Sequence, residues 1–264
     1  MNYGKLYGVG VGTGSPDLMT VRAVNVLQSV DVIAIPNSSK HTKSVAWRIA
    51  GSAVGPVEGQ ERLDLLFPMT KDPAITVPAW NEAFNQIGER LKAGKSVAFI
   101  TEGDPLFYST YIYLHKAAPE RWPGIETEIV PAVSSFTAVP SVIGAPIADG
   151  QERVAVVPAS YGLDELPAIL KLFDTVLLMK VSSVMPRLVE ILEAEGMLDK
   201  SVYVSKATMP LQMIEADLKK IANDKCDYFS MVMVSKGERN GILAGRFADT
   251  AAADAGNNAN GQAV

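Results

Sequence analysis

The chain has 264 residues, more than the roughly 100 to 150 of a common single domain, so its length indicates two domains. With 48% hydrophobic and 20% charged residues, its composition is that of a folded globular protein and excludes the disordered and collagenous classes. The net charge of −5 argues against a nucleic-acid partner, and the single cysteine, Cys226, excludes an internal disulfide and indicates a reducing compartment.

Apolar runs alternate with helical patterns in the first half of the chain, which predicts an α/β domain with a mainly parallel sheet. Thr20 is predicted to cap a helix whose apolar residues recur every three positions, and Pro36 to end the second strand. The predicted strands are 6–12, 31–35, 63–67, 96–101 and 127–130, and the predicted helices begin at residues 21, 45 and 78.

The second half has more strand per residue and fewer long helices, which predicts a mixed or antiparallel sheet. Its predicted elements are the strands 154–157, 175–179, 201–205 and 229–234, with a helix at about 183–195. A proline-rich stretch separates the halves, so we expect an N-terminal α/β domain over 1–131 and a C-terminal α/β domain over 132–248. The remaining segment, 249–264, has almost nothing to bury and is predicted to be disordered.

The N-terminal sequence MNYGKLYGVGVGTG lacks the basic start and unbroken apolar core of a signal peptide. No stretch reaches the roughly 18 apolar residues of a membrane span. We therefore expect a cytoplasmic protein with no membrane partner.

A glycine-rich loop, residues 8–14, follows the first strand and precedes a helix, as in dinucleotide-binding folds. Asp31 even imitates the acid that binds ribose there, but Thr13 or Ser15 stands where the third glycine of the fingerprint is required. Two interpretations remain. The glycines either allow a tight turn and close packing, or form a backbone surface for an adenosine-type ligand.

A second glycine turn, Glu102-Gly103-Asp104-Pro105, comes directly off a buried strand. Ligands of open α/β sheets gather beyond the carboxyl ends of strands, where Gly103 would let the backbone approach a ligand. The two carboxylates would repel a phosphate and tolerate a cationic ligand. As an alternative, this segment is an ordinary turn.

These loops belong to a series of blocks that resembles the tetrapyrrole methyltransferase family, whose members use S-adenosylmethionine (SAM) in cobalamin and sirohaem synthesis. The blocks are VGVGTGSPDLMTVRAVNVLQSVDVIAIP, VAFITEGDPLFYST, IVPAVSSFTAV, TVLLMKV and VSKATMPLQ, in the order of the family. Three positions depart from the usual residues: Thr13 replaces proline, and Glu102 and Ala132 replace glycine.

The resemblance implies two α/β domains with a SAM and substrate cleft between them, and a homodimer. Two segments, IAIPNSSKHTKSVAWRIA and LLFPMTKDP, are similar to the branch that methylates C20 of precorrin-2 or cobalt-factor II in cobalamin biosynthesis. The resemblance therefore implies a SAM-dependent C-methyltransferase with a tetrapyrrole substrate.

Carried over motif by motif, the resemblance also implies a cofactor site. Asp104 is the candidate weak base for the proton that leaves the substrate carbon, with cofactor binding or turn formation as its alternative role. Met179 alternatively fills the core, and Ser134 and Ser135 alternatively cap a helix. The implied cofactor-binding residues are Thr13, Glu102, Gly103, Asp104, Phe107, Ser134, Ser135, Met179 and Ala207.

The implied substrate carries eight carboxylates, so an acidic protein needs local cations to hold it. The basic residues in or near the two branch-specific segments either line a substrate trough or belong to ordinary solvated surface. They are Lys40, His41, Lys43, Arg48, Arg62 and Lys71. The histidines, His41 and His115, are not in a metal-ligand spacing, and we expect no metal site.

Four alternatives remain open. Within the family, methylation occurs at another position of a tetrapyrrole. In the wider group, the substrate is RNA or a protein side chain, although a stripe of basic residues would then be expected. The others are a nicotinamide-dependent oxidoreductase, disfavoured by the broken glycine spacing, and a non-catalytic module that binds an adenosine nucleotide.

Overall fold

The computed structural model describes residues 2–39, 43–70 and 72–237. The chain divides into two compact units, Met1–Ala138 and Val139–Val264. The sequence interpretation placed a boundary between residues 131 and 132, just before the loop that leads into the last helix of the first unit. The segment predicted to be disordered, 249–264, lies outside the described residues.

In the described part of the first unit, all strands of the sheet are parallel, in the order β3-β2-β4-β1-β5. The predicted α/β class with a parallel sheet is confirmed. The strands are β1 (Leu6–Gly10), β2 (Val32–Asn37), β3 (Glu61–Leu66), β4 (Val97–Thr101) and β5 (Thr127–Val130). The helices are α1 (Val21–Ser29), α2 (Val45–Val54), α3 (Pro73–Lys92), α4 (Tyr111–Arg121) and α5 (Ser135–Ile143), which continues into the second unit.

Helices cover both faces of this sheet, which is why β1 and β4 are apolar at nearly every position. On one face Leu6 and Phe99 pack against residues of α3 and α4, including Ile87 and Leu114. On the other face the core contains residues of α1 and α2 together with Ile100. The two central strands are therefore buried on both sides, and their loops are anchored on a rigid base.

The helix caps explain where two helices begin. The hydroxyl of Thr20 accepts a hydrogen bond from the N–H of Ala23, so the predicted cap of α1 is confirmed. The predicted start of α3 at Pro78 is wrong, because the helix already begins at Pro73. The carboxylate of Asp72 caps it through the N–H of Ala74, and proline is well suited to the first helical position.

The prediction that Pro36 ends β2 is also wrong. The strand continues to Asn37, which is paired with Leu66 of β3. Pairing with β4 on the other side stops at Ala34. Beyond that point β2 has one neighbour only, so a residue without an N–H is tolerated on the unpaired side.

The second unit contains a mixed sheet in the order β6-β7-β10-β8-β9 within the described residues. β6 and β7 are parallel, and the other neighbours are antiparallel, as the strand-rich pattern predicted. The strands are β6 (Val154–Pro158), β7 (Thr175–Met179), β8 (Ser201–Ser205), β9 (Met213–Glu215) and β10 (Ser230–Ser235). The helices are α6 (Ala159–Gly162), α7 (Leu166–Leu172), α8 (Met185–Ala194) and α9 (Leu218–Ile221).

Across the described ranges, none of the helices has both the length and the apolar character needed to cross a membrane.

Candidate functional site

The two glycine loops lie side by side, at the carboxyl ends of the neighbouring strands β1 and β4. The N–H of Val11 donates to the carbonyl of Thr101 over 3.0 Å, and the N–H of Gly103 donates to the carbonyl of Gly12 over 2.8 Å. The contact between Gly12 and Gly103 is an isolated antiparallel bridge just beyond the parallel pairing of β1 and β4. The structure thus brings together the two loops that the sequence had singled out separately.

Glycine is required at this edge for two different reasons. A Cβ atom at Gly10 would lie 2.6 Å from the carbonyl oxygen of Gly103 and 2.6 Å from Cβ of Ala132, closer than atoms can approach. Gly12 and Gly103 instead adopt φ angles of +80° and +63°, which favour glycine. The two glycine loops and the loop that follows β5 therefore pack closely here, in agreement with the close-packing interpretation of the glycines.

Asp104 ties the second glycine loop to the loop that follows β5. Its Oδ1 accepts from the N–H of Leu106 over 2.9 Å, and its Oδ2 accepts from the N–H of Ala132 over 3.2 Å. Both carboxylate oxygens therefore hold backbone. This arrangement favours the turn-forming role of Asp104, and its role as a base stays a prediction.

Glu102 points toward α2. Its Oε1 accepts a hydrogen bond of 3.1 Å from the N–H of Ala46, in the first turn of that helix. Burial raises the pKa of the Glu102 carboxyl above its ordinary value, and its backbone hydrogen bonds offset only part of that shift.

Other predicted cofactor-site residues of the first unit lie on the same loops. Thr13 and Ser134 are polar yet only 9% and 6% exposed. The Ser134 carbonyl accepts the N–H groups of Thr137 and Ala138, so Ser134 directly precedes α5, and Ser135 is its first residue. Phe107 packs against Phe136, with 4.7 Å between ring centroids. The helix-capping alternative for Ser134 is thus supported through its backbone, and its cofactor role stays a prediction.

Met179 and Ala207 belong to the second unit. Met179 ends β7, and Ala207 follows β8. Both strands run antiparallel to β10, which lies between them, so their carboxyl ends share one edge of the sheet. Both residues are half-buried, and Lys206 and Thr208 beside Ala207 have positive φ angles of 51° and 65°.

A cavity of about 1050 Å³ lies in the first unit among β2, β3, α2 and α3. Lys43 and Arg48, two of the predicted substrate-binding cations, line it, as does Trp47 between them. Arg62 lies over the ring of Trp47, with 4.5 Å from the guanidinium carbon to the ring centroid. The other predicted residues, Lys40, His41 and Lys71, lie outside the described residues.

Two acidic residues that the sequence interpretation missed, Asp64 and Glu82, also line this cavity. Asp64 Oδ1 accepts from the side-chain amide of Asn37 over 2.8 Å. Leu63 and Leu65 of β3 are buried, whereas Arg62 and Asp64 are exposed. This alternation would have indicated that the Asp64 side chain points away from the core. Cations and anions are therefore mixed in the cavity.

The sequence matches the model of a family described as tetrapyrrole (corrin/porphyrin) methylases over residues 5–222. It is 35% identical to a cobalt-precorrin-2 C(20)-methyltransferase of Salmonella typhimurium over 88% of this chain and 97% of that protein. It is 33% identical to a precorrin-2 C(20)-methyltransferase of Sinorhizobium sp over 88% of this chain and 95% of that protein.

The fold is similar to that of uroporphyrin-III C-methyl transferase from Thermus thermophilus, whose structure was solved in complex with S-adenyl homocysteine. The TM-score is 0.62 at 18% identity, over 88% of this chain and 92% of that one. The family model and the two relatives each cover most of the chain. The chain belongs to the tetrapyrrole (corrin/porphyrin) methylase family.

Proposed function

We propose that the protein transfers a methyl group from SAM to C20 of precorrin-2 or cobalt-factor II, a step of cobalamin biosynthesis. The observation that carries this proposal is the match over nearly their whole length to two relatives that are both named C(20)-methyltransferases. One name specifies a cobalt-containing substrate and the other does not, so both forms are candidates.

The glycine loops are the proposed site for SAM. Three glycines shape the backbone at the carboxyl ends of β1 and β4. Gly12 and Gly103 adopt positive φ angles, and Gly10 lets the two loops and Ala132 pack closely together. The carboxylate of Asp104 gives the second loop a negative charge, which suits a cation better than a phosphate. Glu102 and Gly103 would contact the cofactor through their main chain. SAM supplies an activated methyl group on a positively charged sulfur.

The remaining cofactor contacts are proposed from the family resemblance. Thr13, Phe107, Ser134 and Ser135 would contact the cofactor in the first unit. Met179 and Ala207 are proposed, from the same resemblance, to contact adenine.

The chain's part in the reaction is mainly to align the reacting atoms. Alignment supplies up to about 7 to 11 kcal/mol of barrier reduction where the geometry is ideal, so no activated nucleophile is needed. The electron-rich carbon of the tetrapyrrole must also lose a proton. Asp104 is the candidate base suggested by the sequence, but its oxygens already accept two N–H groups, so we expect its main role to be structural.

We place part of the substrate site in the cavity between α2 and α3. Lys43 and Arg48 provide cations for carboxylates of the tetrapyrrole, and Trp47 provides an apolar surface beside them. Asp64 and Glu82 restrict where an anion can bind in this cavity, because like charges repel.

We also propose that the protein is a cytoplasmic homodimer. A chain with one cysteine suits a reducing compartment, and the family resemblance supports the dimer. Light scattering of the purified protein tests the assembly; a mass of one chain would contradict it.

The function is tested by incubating the protein with SAM labelled in its methyl group and either precorrin-2 or cobalt-factor II. Label is expected in at least one tetrapyrrole. Failure with both would refute the substrate, even if SAM binds. Calorimetry with SAM, its demethylated product and NAD separates a methyltransferase from a nicotinamide enzyme, since binding of NAD without SAM would contradict the proposal.

A further inference from the structure

The first turn of helix α2 is capped only in part by residues of its own segment. The hydroxyl of Ser44 accepts the N–H of Trp47 over 3.3 Å, but the first turn contains no acidic residue. The N–H groups of a first helical turn lack partners within the helix and attract negative charge. The N–H of Ala46 finds its acceptor 56 residues away in the sequence, in the carboxylate of Glu102.

Glu102 also adjoins the bridge between the two glycine loops. The next residue, Gly103, donates its N–H to the carbonyl of Gly12 over 2.8 Å. Two successive residues thus join three segments: the first glycine loop, the second glycine loop and the start of α2. Of the two cations that line the cavity, Lys43 precedes the N-cap Ser44 and Arg48 lies within α2.

We propose that Glu102 is a positioning residue that couples the two parts of the site, because its side chain fixes the first turn of α2 and with it the cations facing the substrate cavity. This inference rests on the proposed function, which places SAM on the glycine loops and the tetrapyrrole near α2. It assigns the side chain of Glu102 to the helix, while the backbone of its loop remains available to the cofactor.

Burial raises the pKa of the Glu102 carboxyl, which means that the charged form is disfavoured at this position. No described residue forms an ion pair with it that would offset the burial. What α2 requires is therefore a side-chain oxygen that accepts the N–H of Ala46, on a side chain as long as that of glutamate. Substitutions at residue 102 can test this, because the length of the side chain and its charge can be changed separately.

The test compares Glu102→Gln, which keeps the length and the acceptor oxygen, with Glu102→Asp, which keeps the charge but is one methylene too short. Glu102→Ala removes both, and Glu120→Ala, on the exposed side of α4, is the control. We expect Glu102→Gln to stay within twofold of the wild type in the KM for the tetrapyrrole. Glu102→Asp and Glu102→Ala should raise that KM about five- to tenfold, the effect of a lost helix cap, with the Kd for SAM changed less than twofold.

Hydrogen exchange of the backbone amides of residues 46–48 provides a readout that does not depend on activity. Exchange should be about tenfold faster in Glu102→Asp than in the wild type and Glu102→Gln. Equal exchange in the wild type and the three Glu102 variants would overturn the inference. So would a pattern in which Gln loses SAM affinity and Asp retains it, because that pattern indicates direct charge contact with the cofactor.

The failure of this inference and that of the proposed function are distinguishable. If the wild-type protein methylates neither tetrapyrrole, the proposed function fails, and the consequence for substrate binding fails with it. If the wild type is active and Glu102→Asp resembles it in both KM and exchange, only the role of Glu102 is refuted. Should Glu102→Ala not fold, the comparison of Gln with Asp still decides.

Discussion

Asp31 and Ser96 form a reciprocal pair that ties β2 to β4. Oδ2 of Asp31 accepts from the N–H and the hydroxyl of Ser96 over 2.8 and 2.7 Å, and the Ser96 hydroxyl accepts the N–H of Asp31 over 3.0 Å. Both residues directly precede their strands, at the amino ends of the sheet. The glycine loops lie at the opposite ends, about 15 Å away for a five-residue strand. Asp31 therefore has a structural role, because it joins the starts of β2 and β4, and its resemblance to a ribose-binding acid is coincidental.

This pair predicts a pH dependence of stability. The hydroxyl and the N–H of Ser96 hold the pKa of Asp31 below its ordinary value of 3.8. A lowered folded-state pKa stabilises the protein above pH 3.8, and the contribution is lost as the pH falls through the folded-state pKa. Asp31→Asn should therefore be less stable than the wild type at pH 7, with a difference that narrows below pH 3.8.

Urea unfolding of both proteins at a series of pH values measures that difference. Ser96→Ala removes the hydroxyl and should reduce the same pH dependence. A difference between Asp31→Asn and the wild type that stays constant with pH would contradict the account.

Gly10→Ala should separate the glycine loops. The new Cβ would lie 2.6 Å from the Gly103 carbonyl oxygen, so backbone must move, and we expect SAM affinity to fall more than about tenfold. Gly59→Ala is the matched control, because it has φ +74° in open space before β3. It should cost about 1 kcal/mol of stability and leave SAM binding intact. Calorimetric titration with SAM distinguishes the two; equal affinities would argue against this site.

The variant Asp104→Asn distinguishes a structural role of Asp104 from a role as the catalytic base. An amide nitrogen in place of one oxygen would face the N–H of Leu106 or Ala132, so we expect a loss of about 1 to 3 kcal/mol in stability and a raised Kd for SAM. At saturating SAM, kcat should change little. Asp217→Asn, which loses a similar contact to the N–H of Lys219, is the control. A fall in kcat of about a hundredfold with normal SAM binding would instead establish Asp104 as the base.

Arg48→Ala tests the substrate cavity. Removal of one cation that binds a substrate carboxylate should raise the KM for the tetrapyrrole about five- to tenfold and leave the Kd for SAM unchanged. Higher salt should reduce the difference from the wild type. Arg187→Ala, on the exposed side of α8, is the control for loss of an arginine. If Arg48→Ala has the KM of the control, the tetrapyrrole binds elsewhere.

The sequence was most informative where one local signal decides the structure. The apolar runs of β1 and β4 and the cap Thr20 predicted their elements because burial and capping depend on neighbouring residues. The start of α3 was misplaced because Pro78 and Pro73 each satisfy the rule for a first helical residue, and only the contact of Asp72 selects between them. Pro36 was misread because its effect depends on which strand lies beside it.

In the candidate site, too, only the features that have a local sequence signal could be predicted. Glycine spacing and strand ends indicated both loops, but not the bridge from Gly103 to Gly12 that joins them. The reach of Glu102 to Ala46 depends on how two distant segments pack, and no local pattern contains it. Lys43 and Arg48 were predicted by resemblance, whereas Asp64 becomes apparent only from the strand direction of β3.

The most direct test of the proposed function locates the transferred methyl group. The protein is incubated with SAM carrying a carbon-13 methyl group and with precorrin-2 or cobalt-factor II, and the product is analysed by carbon-13 NMR and mass spectrometry. We expect one added methyl group, bonded to C20. A methyl group on any other carbon, or no transfer to either tetrapyrrole, would contradict the proposed function.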